Sequence, residues 1–246
     1  MKKLCLLLVC VAILAWFLFK SSPAPVNPSP TPNNSLEYLV ENQPFRVASF
    51  IVKNPAAISL IPNFTQKNSS LSVAKNSQCT MLTSGGFYSK ANNPIGLFIS
   101  DGKQIGTYQT NALFNGFFSV QTNENAIIGD QIPESTSPLA LQSGPLLITD
   151  GVVRKLSIRD DEPARRIVMA QTNDNAIVFL ALYSGENTFQ GPKLADVPQH
   201  LKKIENLLGI SITNALNLDG GSASVFIAKD YSLSELTPVG SFFCVQ

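Results

Sequence analysis

Apolar and polar positions alternate in short stretches along most of this chain, and the breaks between them are rich in Asp, Asn and Gly. A period of two marks strands, and such breaks mark reversals. Residues 45–52 and 57–61 therefore read as strands. Residues 95–100 and 103–106 form an expected hairpin about Asp101-Gly102, and residues 146–149 and 152–153 a second about Asp150-Gly151. Asp and Gly tolerate the positive φ that two-residue hairpin turns require. Residues 167–170 and 176–183 make a third pair, around Asn173-Asp174-Asn175.

One segment changes period. Across residues 194–208, Leu194, Val197, Leu201, Ile204, Leu207 and Leu208 recur at helical spacing, and Gly209 supplies a stop. Residues 215–218 then read as a strand ending at Asp219, and residues 225–228 as its return. Strands dominate and helices are few. The expected class is α+β, a mixed but mainly antiparallel sheet domain.

The amino terminus follows other rules. Lys2 and Lys3 precede an unbroken apolar run over residues 4–19, closed by Lys20. At helical rise the run reaches roughly 24 Å, a little short of a ~30 Å hydrocarbon core. It reads as a signal anchor, or else as a cleaved signal peptide, over residues 1–20. The paired lysines keep the amino end inside, so the remainder is expected outside the cytoplasm, tethered or secreted. Five prolines in residues 21–35 predict an extended spacer, with the domain proper spanning 36–246.

Composition removes several classes of function. Net charge is +1 with no long basic run, so a nucleic-acid partner is not expected. A single histidine, His200, excludes most catalytic zinc sites, and its place in the helical segment reads as a solvated position. No metal or cofactor is expected. Cys79 and Cys244 are left to an exported domain, either as a disulfide or as two buried thiols.

The segment with most chemistry is Asn217-Leu218-Asp219-Gly220-Gly221-Ser222. It sets a carboxylate at a strand end, then two residues without Cβ, then a hydroxyl. Consecutive glycines let backbone N–H groups approach an anion, although a tight turn capped by Asp219 accounts equally for the local pattern. The run Ala-Leu-Asn-Leu-Asp-Gly-Gly-Ser-Ala-Ser, residues 215–224, resembles the signature of the phosphodiester glycosidase family. Ser84-Gly85-Gly86-Phe87-Tyr88, Asn115-Gly116-Phe117-Phe118, Gln142-Ser143-Gly144-Pro145 and Arg165-Arg166 resemble further blocks of that family, in its order. Ser84 stands where the family usually has Asn, and Ala223 where Ser is common.

The resemblance implies a hydrolase that cleaves the sugar–phosphate bond of a glycosyl phosphodiester. The same fold as a non-catalytic glycan-binding domain, or as a structural extracellular domain, is the alternative. Asp219 is the expected catalytic carboxylate and Arg165, or Arg166 one position on, the phosphate clamp. Asn217, Gly220, Gly221, Ser222, Ser143, Gly144, Asn115, Gly85 and Gly86 are the expected substrate-binding residues. Glu162 is a candidate second carboxylate, with a solvated loop as its plain alternative. Phe87 and Tyr88 read as core aromatics.

Overall fold

A strand with one face on a core shows period-two burial, but a strand covered on both faces reads as a continuous apolar run. Both kinds occur here. A computed structural model describes residues 35–246. The expected membrane segment, and all but the last residue of the proline-rich spacer, lie outside the described residues. Among the described residues no helix is long and apolar enough to cross a membrane.

The chain runs through β1 (Leu36–Val40), β2 (Gln43–Val52), β3 (Ile58–Pro62), α1 (Ser70–Asn76) and β4 (Met81–Ser84). Next come β5 (Phe98–Ser100), β6 (Lys103–Gly106), β7 (Gly116–Val120), β8 (Ala126–Gly129) and β9 (Leu139–Ser143). Then follow β10 (Leu146–Thr149), β11 (Val152–Val153), β12 (Arg166–Thr172), β13 (Ile177–Ser184) and α2 (Val197–Leu208). The last strands are β14 (Ile212–Asn217), β15 (Phe226–Ala228), β16 (Tyr231–Leu233) and β17 (Ser241–Val245).

They form three sheets, ordered β1-β2-β13-β12-β14-β10-β11, β16-β15-β4-β17-β3 and β6-β5-β9-β7-β8. Each named pairing among them is antiparallel, as expected. Both expected Asp-Gly turns are present, with φ of 49° and 70° at Asp101 and Gly102, and 51° and 75° at Asp150 and Gly151.

The largest sheet is covered on both faces, and β13 shows how. Its Val178, Leu180 and Leu182 join a core with Val197, Leu201 and Ile204 of α2. The intervening Ile177, Phe179, Ala181 and Tyr183 join the main core, with Phe118 and Phe243 from the other two sheets. The helix thus closes one face and the two smaller sheets close the other. Gly209 ends α2 at φ 66°, a left-handed cap.

His200 departs from expectation. Only 3% of it is exposed. The β1–β2 hairpin folds over α2, so Nδ1 lies 3.0 Å from the Tyr38 hydroxyl and the ring meets Phe45 edge-on at 4.7 Å. Burial lowers its pKa to about 4, so it is neutral at pH 7. Helical periodicity placed His200 off the main stripe; only the hairpin made that side interior.

The cysteine alternatives resolve into a disulfide. β4 pairs with β17, and Cys79 and Cys244 are bonded with Cα atoms 5.4 Å apart. The bridge spans 165 residues, for which the chain-entropy model gives about 5 kcal/mol. Cys79→Ser is expected to lower the urea midpoint and match the reduced wild type. Equal midpoints for the oxidised wild type and the variant would rule this out.

Candidate active site

Asp219 follows directly on β14, the strand seated between β12 and β10. Leu218, fully buried, donates its N–H to Ile167 O at 2.9 Å. The backbone of Asp219 is held from the other side. Its N–H donates to Gly85 O at 3.0 Å, and Ser84 Oγ donates to its carbonyl at 2.7 Å. The end of β4 therefore fixes the catalytic candidate across the gap between two sheets. Ser84, where the family shows Asn, has a defined task here.

Glycines permit that approach. A Cβ on Gly85 would lie 2.6 Å from Ser241 Oγ, and one on Gly86 2.6 Å from a Leu141 methyl. Gly86 N–H instead donates to Ser241 Oγ at 3.1 Å. These two residues bring the end of β4 close against β17 and β9.

Asp219 is half-buried as a residue, and protein packs around its carboxyl. Desolvation pushes its pKa up to about 8, opposed by a hydrogen bond from Gly220 N–H. Tyr88 is its electrostatic neighbour: burial raises the phenol's pKa, and the charge of Asp219 raises it further. Tyr88 is half-buried rather than a core aromatic, and its hydroxyl donates to Pro238 O at 2.5 Å. Sequence reasoning missed this role, because an aromatic after two glycines looks the same in a core.

The glycine turn is held from beneath by Arg165. Its carbonyl accepts from Gly221 N–H at 2.8 Å, and a Cβ on Gly220 would lie 2.6 Å from that oxygen. Gly221 has φ 65°, where a side chain is strained. The Arg165 guanidinium is fully buried. Nε donates to Ser224 Oγ at 2.7 Å, Nη2 to Ser224 O and Ser234 O, and Nη1 to Thr188 O at 3.3 Å. Ser224 Oγ passes the chain on to Gly221 O at 2.6 Å. The Phe189 ring lies 4.9 Å from the guanidinium carbon.

The expected phosphate clamp is turned toward the protein's interior in this structure. The donors of Arg165 are bonded to the protein's own oxygens, and burial lowers its pKa to about 10. Arg166 is likewise engaged, with Asp161 at 3.3 Å, Pro192 O at 3.0 Å and Glu162 O at 2.6 Å. Glu162 itself is exposed and meets Arg166 only through its carbonyl. Gly221 N–H, expected to face an anion, points instead at Arg165 O.

The other expected residues gather around the end of β14. Ser143 Oγ and Gly144 N–H donate to Asn217 O at 2.8 and 3.1 Å, and Asn217 Nδ2 donates to Gly144 O at 3.0 Å. Asn217 is 3% exposed, and its Oδ1 has no hydrogen-bond partner among the described residues. A buried acceptor without a donor costs about 1–3 kcal/mol, so this atom is kept at some expense. Asn115 is exposed, and its Oδ1 accepts from Leu146 N–H at 2.9 Å. Ser222 is exposed at the turn, with Oγ 3.3 Å from Thr237 Oγ1. Among the described residues no His, Cys, Asp and Glu cluster could hold a metal. Asp219 lines neither of two clefts, of about 900 and 830 Å³.

A desolvated carboxyl beside a glycine turn, on a three-sheet antiparallel frame with few helices, characterises this α+β domain. The chain belongs to the phosphodiester glycosidase family, whose model matches residues 77–245. Its fold is similar to the catalytic domain of zebrafish N-acetylglucosamine-1-phosphodiester alpha-N-acetylglucosaminidase, solved in a form auto-inhibited by its pro-peptide. That match has a TM-score of 0.64 at 14% identity and covers 92% of this chain and 86% of that one. A hypothetical protein from Synechocystis matches with TM-score 0.57 at 16% identity, covering 86% of this chain and 61% of that one. No curated protein matches.

If Arg165 positions the turn, Arg165→Lys should destabilise the protein by about 2–3 kcal/mol, since several buried carbonyls and a hydroxyl lose donors. Hydrogen exchange at Gly221 should also accelerate. A variant with an unchanged urea midpoint and only a raised KM would return Arg165 to the substrate.

Proposed function

We propose that this protein is an exported hydrolase that cleaves the bond between a sugar's anomeric carbon and phosphate, with Asp219 as its acid–base group. One observation carries the reading: the Asp219 carboxyl stands beside the Gly220-Gly221 turn with its pKa raised to about 8. Family membership supports the reaction class, and the zebrafish relative's name supports an N-acetylhexosamine as the sugar. The disulfide and the amino-terminal apolar run support an extracytoplasmic site of action, with the run as anchor or cleaved signal.

A phosphodiester brings a negative charge to the site. At pH 7 Asp219 is mostly protonated, so it receives the anion without repulsion. As the anomeric C–O bond breaks, its electron pair leaves with phosphate and the Asp219 proton moves to that oxygen. A phosphate monoester has a second pKa near ~6, so this proton is needed only briefly. The carboxylate left behind then faces the positive charge on the sugar ring, a stabilisation that grows only toward the transition state. Water adds to the anomeric carbon and releases one proton, which restores Asp219.

Binding would draw on the hydroxyl of Ser222, exposed at the turn. Arg165 acts through the turn as a positioning residue. A second reading, glycan binding without turnover, is favoured by one fact: both arginines are engaged by the protein itself.

Turnover of a nucleotide-diphosphate N-acetylhexosamine, followed as free sugar, tests the two. We expect kcat/KM to fall as pH rises through about 8, and Asp219→Asn to lose about 10²- to 10⁴-fold. Sugar binding by calorimetry without turnover across a broad donor panel would support the second reading. Stability gives a separate check. A carboxyl raised from an unfolded value near ~3.9 makes its full contribution below that pH and loses it as pH rises through about 8. Asp219→Asn should therefore resist urea better than wild type at pH 8, with the difference closing near pH 4.

A further inference from the structure

Two routes of contact lead away from Asp219 and meet at a pair of aromatic rings. Along the first, Asp219 N–H donates to Gly85 O, and Phe87 follows two residues on, at most about 7 Å from Gly85 between Cα atoms. Along the second, Asn217 O accepts from Gly144 N–H. Gly144 in turn packs against the loop over residues 107–115, where a Cβ on it would strike Leu113 O and lie 3.0 Å from Phe114 Cα. The Phe87 and Phe114 rings close the circuit, with centroids 4.8 Å apart and planes inclined by 34°. Both are half-buried, and Leu113 beside them is 37% exposed.

The loop that carries Leu113 and Phe114 is held in place by buried amides. Gln142, only 1% exposed, commits its side chain to it: Nε2 donates to Gln109 O at 2.6 Å and to Phe114 O at 2.8 Å, and Oε1 accepts from Gln109 N–H at 3.1 Å. Asn111 Oδ1 accepts from the N–H groups of Leu113 and Phe114 at 2.8 and 3.1 Å. Asn115 Oδ1 ties the end of the loop to Leu146 N–H. A loop pinned in this way keeps apolar side chains at the surface, and exposed apolar patches mark contact surfaces. The exposure is built.

Charge is nearly absent from this region. Residues 76–89, 104–123, 135–149 and 206–228 supply the strand ends and loops just described, and Asp219 is the one charged residue in them. Arg165 and Arg166 have donors bonded to the protein's own oxygens. A second phosphate, as in a nucleotide diphosphate, would bring further negative charge with no cation in these segments to meet it. A single phosphodiester joined to an apolar alcohol makes no such demand.

We propose that Phe87, Phe114 and Leu113 receive the aglycone of the substrate, and that this aglycone is an apolar alcohol, an alkyl or prenyl chain esterified to the phosphate on the anomeric carbon. Its cleavage rests on the reading of Asp219 above; the apolar contact does not. Leu113 and Phe114 are then specificity-determining residues. They touch the part of the substrate that leaves with phosphate and take no part in proton transfer.

The test uses the full chain in phosphocholine nanodiscs, with empty nanodiscs as the blank. Donors made by esterifying N-acetylglucosamine 1-phosphate with methanol or hexanol are compared with uridine-diphosphate N-acetylglucosamine, each followed as free sugar. The hexyl donor is expected to exceed the methyl donor in kcat/KM by about thirtyfold, the worth of two to three buried methylenes, and to exceed the nucleotide donor as well. Leu113→Ser, a surface change, should lower kcat/KM for the hexyl donor about fivefold through KM, with the urea midpoint unchanged. Phe114→Ala should lower it further. By calorimetry, hexyl phosphate should bind more tightly than methyl phosphate, and Leu113→Ser should weaken it.

Equal kcat/KM for the methyl and hexyl donors, a preference for the nucleotide donor, or unchanged hexyl kinetics in both variants would overturn the proposal. If no donor is turned over, calorimetry decides. Tighter binding of hexyl phosphate that Leu113→Ser weakens would uphold the apolar site and count against the reading of Asp219 alone. Hexyl phosphate bound no more tightly than methyl phosphate would overturn the apolar site itself.

Discussion

A guanidinium with no water around it must find every hydrogen bond inside the protein, and Arg165 does so around the glycine turn. Its side chain gathers Ser224, Ser234 and Thr188, while its carbonyl receives Gly221 N–H. Removing a buried charge's partners is costly, so these segments cannot move independently. The turn that follows Asp219 is therefore fixed by a residue at the start of a neighbouring strand. On the other side, Ser84 and Gly85 at the end of β4 hold the backbone of Asp219 itself. The carboxyl is caught between two sheets rather than hung from a mobile loop.

That rigidity explains how a carboxyl can stand partly desolvated. A flexible loop would turn the group to water and recover its ordinary pKa. Here packing denies that option, and Gly220 N–H offers only partial compensation. Asn217 Oδ1 carries a second cost of the same kind, a buried acceptor left without a donor among the described residues. Both costs collect at the end of one strand. Strain of this sort is tolerated where the surrounding structure over-determines it, and it concentrates at functional sites.

Much of the architecture was legible beforehand because its causes are local. Asp101-Gly102 and Asp150-Gly151 need positive φ, so their hairpins followed from residue type alone. The apolar stripe of α2 and its Gly209 stop are equally local. Less legible were β1, α1, β4, β7 to β9, β16 and β17. β7 and β9 are buried at every position, which erases the alternation that marks a strand, and α1 is a short polar helix with only Ser70 and Val73 buried. His200 was misplaced for a related reason, since its cover comes from a hairpin more than a hundred residues away.

The division at the site follows the same line. Local sequence by itself determined that Asp219 ends a strand, that glycines follow it, and that the ordered blocks mark the phosphodiester glycosidase family. Those facts depend on residue type and order. Only the tertiary structure decided which groups remain available. It bonded the donors of Arg165 and Arg166 inward, joined Cys79 to Cys244, set Tyr88 beside Asp219 and left Asn217 Oδ1 unpaired among the described residues. A side chain's chemistry is written in its identity. Whether that chemistry faces a substrate or the protein's own backbone depends on contacts between residues distant in sequence.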